Sequence, residues 1–133
     1  MKPNGYSRIA LCAAALQLPA CVVVSDDDRG IGTLTVEWTI DGVRDPSDCA
    51  AFAVDRLELV IFTRSGRVVD EIEPVCESFG VSVDLVEAVY FGDATLVDSF
   101  DAPATLTQPI DYLDIIEATE LAVSIDFPIG SFL

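Results

Sequence analysis

The chain predicts an all-β fold, an antiparallel sandwich of about seven strands with one short helix near residues 46–52. Three observations predict it. Apolar and polar residues alternate with period two in several short runs. Glycine, proline, serine and aspartate punctuate those runs. No stretch after Val24 carries the 3.6-residue periodicity of a long amphipathic helix.

The first run is Thr33 to Asp41. Leu34, Val36, Trp38 and Ile40 share one parity, and Thr33, Thr35, Glu37, Thr39 and Asp41 the other, as in a strand buried on one face. Trp38 falls with the apolar set and reads as core. Asp45-Pro46-Ser47-Asp48 is a helix start: Asp45 as N-cap, Pro46 at the first helical position and Asp48 against the positive end of the dipole. The helix is short and carries Cys49 before the next strand begins near Asp55. Arg56 to Thr63 is apolar on both faces toward its end, which suits a central strand. Arg64 to Arg67 is a hairpin turn, and Val68 to Glu73 returns until Pro74 stops it. Phe79, Val81, Val83 and Leu85 alternate with polar residues and glycine after Cys76.

Tyr90, Ala94 and Leu96 share a parity in the run from Tyr90 to Asp98. The segment Asp84-Leu85-Val86-Glu87-Ala88-Val89-Tyr90 resembles the turn before a late strand in immunoglobulin-like and transthyretin-like sandwiches, which implies a Tyr90 hydroxyl that ties the corner. Trp38 precedes both Cys49 and Cys76 instead of lying between them, so the resemblance is to the architecture and not to antibody domains. Thr105 to Pro109 reads as an edge strand limited by Pro103 and Pro109. Asp111 to Thr119 reads as a loop or one helical turn. Leu121, Val123, Ile125 and Phe127 give the last alternation, ended by Pro128.

The beginning of the chain follows other rules. Lys2 and Arg8 precede an apolar run from Ile9 to Leu18, and Ala20 stands before Cys21, the layout of an export signal. Leu18-Pro19-Ala20-Cys21 resembles the lipobox of bacterial lipoproteins. That resemblance implies acylation of Cys21 and removal of residues 1–20. An uncleaved span from Ile9 to Val24 falls short of the roughly 20 residues that cross a bilayer, and Pro19 interrupts it. Val22 and not aspartate follows Cys21, and in the resembling lipoproteins of enteric bacteria a residue other than aspartate there goes with sorting to the outer membrane, which is the location the resemblance implies. The expected organisation is a signal peptide at 1–20, an acidic tether at 21–32 with Asp26, Asp27 and Asp28, a sandwich domain at 33–128 and a tail at 129–133. As a whole the chain is similar to small bacterial lipoproteins with one sandwich domain.

Composition limits the chemistry. Without residues 1–20, and so without Lys2 and Arg8, 5 basic residues face 23 acidic ones, a side-chain charge of −18. Such a surface repels nucleic-acid phosphates and anionic lipid headgroups. At 51% hydrophobic residues, the chain has enough apolar surface to fold despite its charge. With Cys21 acylated, Cys49 and Cys76 remain as an even pair in an oxidising compartment, the setting for a disulfide.

There is no histidine, and no lysine after residue 2, so no Ser-His-Asp, Cys-His or Schiff-base system can be assembled. A carboxylate pair for hydrolysis remains formally open but has no specificity among 23 acids. Calcium is the other alternative, with Asp41, Asp45 and Asp48 in one loop and Asp98 and Asp101 in another; neither group has the spacing of a calcium loop. The leading expectation is a non-enzymatic, lipid-anchored binding or structural module of the cell envelope, with no cofactor, a protein or polysaccharide partner and no nucleic acid. A calcium-dependent adhesion or matrix module is the runner-up.

Overall fold

The computed structural model describes residues 29–133. Cys21, the signal segment and Asp26 to Asp28 lie outside the described residues. The described chain is an all-β sandwich of seven strands with one short helix: β1 (Ile31–Ile40), α1 (Pro46–Ala51), β2 (Arg56–Thr63), β3 (Val68–Ile72), β4 (Gly80–Val86), β5 (Ala88–Val97), β6 (Gln108–Ile115) and β7 (Glu120–Phe127). One sheet has the order β4-β1-β7, the other β3-β2-β5-β6.

The alternation in β1 sets the core. Leu34, Val36, Trp38 and Ile40 are fully buried, and the side chains of opposite parity lie on the outer face. Leu57, Leu59 and Ile61 of β2 and Tyr90, Ala94 and Leu96 of β5 meet them from the other sheet. β2 is central, as its two apolar faces require. Its outer face carries Phe62 opposite Phe91, rings 6.3 Å apart, with the Arg64 guanidinium 5.8 Å from the Phe91 ring. The Tyr90 hydroxyl donates to the Val86 carbonyl at 2.6 Å, closing the corner between β4 and β5.

One pair departs from a purely antiparallel sandwich: β1 and β7 are parallel. Successive strands here reverse direction, so the first and seventh point the same way and become parallel when adjacent. The strand order also differs from that of an immunoglobulin constant domain, where strands one, two, five and four share a sheet. The tight Arg64–Arg67 turn keeps β3 beside β2, and the chain changes sheets later, at the turn of Cys76–Ser78.

β6 departs furthest from expectation. The strand expected at Thr105–Pro109 lies further on, and residues 111–115, expected as loop or helical turn, are strand. The cause is a bulge. Tyr90 faces Leu113 and Gly92 faces Ile110, so Asp111 and Tyr112 together oppose Phe91, and Tyr112 adopts φ 58°. The extra residue places the buried Ile110 and Leu113 three apart, which destroys the period-two pattern.

β1 also starts earlier than the alternation suggests and takes in Gly32. A Cβ there would meet the Ile116 carbonyl oxygen at 2.4 Å, so glycine admits the close approach of the β6–β7 turn. Phe79 does not begin β4; it ends the preceding turn with φ 51°. Residues 129–133 pack onto the domain through a Thr105–Phe132 bridge and the stacking of Phe132 on Phe52 at 4.5 Å.

Candidate functional site

The alternating strand directions give the sandwich two poles. β1 starts at the pole formed by Ile31, the 64–67 hairpin, the β4–β5 corner and residues 116–119. It ends at the other, with α1, the Cys76 turn, the 98–107 loop and residues 128–133. Ten residues of strand separate the poles by about 30 Å.

At the far pole Asp45 caps α1. Its carboxylate accepts from the Ser47 hydroxyl at 2.8 Å and the Ser47 amide at 3.0 Å. Those two bonds, the hydroxyl first, hold the Asp45 carboxyl below its ordinary pKa. The six-residue helix closes on Ala53, eight residues after its cap and in the left-handed region at φ 56°. The Ala53 amide bonds the Ala50 carbonyl and the Val54 amide the Cys49 carbonyl, the pattern that usually employs glycine. Cys49 is bonded to Cys76, with Cα atoms 6.0 Å apart, and both are fully buried. The disulfide ties α1 to the point where the chain changes sheets.

Arg56 gathers the neighbouring acids. Its guanidinium donates to Glu73 at 2.7 Å, to Asp55 at 3.1 Å, to Asp101, and to the Asp98 carbonyl at 3.4 Å. The side chain is only 16% exposed, and these partners, Asp101 foremost, raise its pKa further. It therefore stays charged at every working pH and joins the start of β2, the end of β3 and the 98–101 loop. In that loop the Asp98 carboxylate accepts from the Phe100 amide at 2.8 Å and the Ala102 amide at 2.9 Å. The turn so formed presents Phe100 outward, 88% exposed.

Between α1 and this loop lies a cleft of about 270 Å³, lined by Cys49, Ala50, Ala53, Val54, Asp55, Asp98, Ser99 and Phe100. Its floor is apolar and its rim acidic. Val43, Val75, Leu106 and Ile129 are further exposed apolar residues of the same pole. Exposed apolar surface rimmed by polar groups is typical of contact sites.

The five aspartates considered for calcium are not gathered. Among the described residues no group of three or more potential ligands is placed to hold a metal ion. Asp45 caps the helix, Asp98 caps its own turn, Asp101 pairs with Arg56, and Asp41 sits in a tight turn at φ 52°. Of the residues singled out in the sequence, Cys49 and Asp98 line the cleft, Cys76 lies behind Cys49, and Cys21 lies outside the described residues. Phe100 and Arg56 were not anticipated. An aromatic residue inside the polar turn Asp98-Ser99-Phe100-Asp101 was the available signal for the first; a lone arginine at a strand start gave little for the second. No protein-family model, curated protein or solved structure matches the chain.

Proposed function

We propose that the protein is a lipid-anchored, non-enzymatic binding module of the bacterial cell envelope that meets its partner at the pole remote from its tether. One observation carries this reading. The N-terminal connection enters the sandwich at one pole, while the cleft, Phe100 and the disulfide occupy the other. A chain acylated at Cys21 would hold the first pole toward the bilayer, and its charge would keep the domain off anionic headgroups.

The partner is a protein or polysaccharide; the acidic rim favours one with exposed cations, and nucleic acid is disfavoured. The non-enzymatic part rests on side-chain chemistry. Both carboxylates on the cleft are engaged, Asp55 with Arg56 and Asp98 with backbone amides, and the chain has no histidine.

Photocrosslinking in living cells tests the contact surface. A photoreactive residue in place of Phe100 should yield a discrete crosslinked envelope component, and one in place of Ser65 at the near pole should not. Crosslinking from Ser65 alone, or from neither, would contradict the reading.

A further inference from the structure

Sheet edges expose unpaired N–H and C=O groups, and proteins blunt them with charge, proline, bulges or brevity. Among the described residues three of the four edges are blunted. β3 is five residues long and carries Asp70 and Glu71. β6 contains Pro109, Asp111, Asp114 and the bulge at Tyr112. β4 starts at Gly80 and has Asp84 within it. β7 is different: from Leu121 to Ile125 it has no charge, no proline and an unbroken register with β1.

The ladder defines what this edge offers. The Thr33 amide donates to the Thr119 carbonyl and the Asp41 amide to the Phe127 carbonyl, so the odd residues of β7 serve β1. Glu120, Ala122, Ser124 and Asp126 therefore turn their N–H and C=O groups to the open side, where no described residue pairs with them. Leu121, Val123 and Ile125 point the other way around the pleat and are only half-buried.

We propose that the open edge of β7 receives an extended segment of a basic partner protein as an added strand. Main-chain bonds to Ala122 and Ser124 would hold the segment, and the half-exposed row of Leu121, Val123 and Ile125 would contact alternate side chains. Charge selects the occupant. Residues 29–133 hold five arginines against 20 carboxylates, a charge of −15, with Glu120 and Asp126 at the two ends of the edge. A second copy is disfavoured: the two-fold pairing that matches the uncharged runs places Glu120 of each chain opposite Asp126 of the other. Lysine or arginine flanking a short β-forming run is complementary. This inference rests on the reading of the chain as a binding module, but not on lipid attachment or on the far-pole cleft.

The test uses the full chain in detergent and the peptide acetyl-Lys-Val-Thr-Val-Thr-Val-Lys-amide. Residue-resolved hydrogen exchange should show the amides of Ala122, Ser124 and Asp126 unprotected in the free chain and protected by the peptide. A counterpart with glutamate in place of both lysines should bind about tenfold more weakly. Ser124→Pro removes one outward donor and spares the β1 ladder, so it should abolish binding. The same peptide N-methylated at alternate residues should also fail, whether or not the proline variant folds. Three results would overturn the proposal: no protection at β7, equal binding of the basic and acidic peptides, or protection of these amides without peptide, as a paired second copy or an internal strand would give. Loss of crosslinking from Phe100 with β7 protection intact would instead refute the far-pole reading alone.

Discussion

Asp45 shows how a single carboxylate organises the far pole. Its folded pKa is depressed, so its contribution to stability is complete above the 3.8 of an unperturbed aspartate and is lost as pH falls through the lower, folded value. Acid titration of Asp45→Asn, which keeps a capping oxygen, should lack that component of the melting-temperature profile, and Asp45→Ala should melt lower than either at neutral pH. Identical acid profiles for wild type and Asp45→Asn would contradict the assignment. Tyr90→Phe removes the donor to the Val86 carbonyl and should cost about 1 kcal/mol in denaturant unfolding. An unchanged midpoint would show that the corner is held by packing alone.

Among elements, the Cys49–Cys76 staple carries the largest expected effect. The cysteines are 27 residues apart, a loop whose closure lowers unfolded-state entropy by roughly 3.5 kcal/mol in the chain-entropy model. Cys49→Ala with Cys76→Ala should lose stability of that order, followed by red-shifted emission of the buried Trp38 at lower denaturant; a loss below about 1 kcal/mol would place the staple's role elsewhere.

The strands whose alternation survives folding, β1 and β7, were legible in the sequence because one residue step always flips the side chain to the other face, and β2 was legible as a central strand from its two apolar faces. β6 was not, since the Tyr112 bulge inserts a residue without any glycine to announce it. The αL position at Ala53 was hidden for the same reason. Of the candidate site, α1 and its Asp45 cap could be read from local residue order, and the Cys49–Cys76 pair from the even number of cysteines that remains beside Cys21. The cleft could not, because Ala53, Val54 and Phe100 meet only through the pairing of Asp55 with the end of β5, a long-range contact without a local signal.

At the scale of the molecule, odd strands run from one pole to the other, so the chain enters at one end and presents its disulfide-stapled, partly apolar surface at the opposite one. The strong negative charge opposes the approach of that surface to anionic lipid or nucleic acid. We propose that a fatty acid on Cys21 holds this domain at the envelope. It is tested most directly by feeding cells an alkyne palmitate analogue and comparing the wild-type chain with Cys21→Ser. The account predicts label and membrane fractionation for the wild type and neither for the variant, with the Cys49–Cys76 bond intact in both. An unlabelled wild-type chain, or label retained by Cys21→Ser, would contradict it.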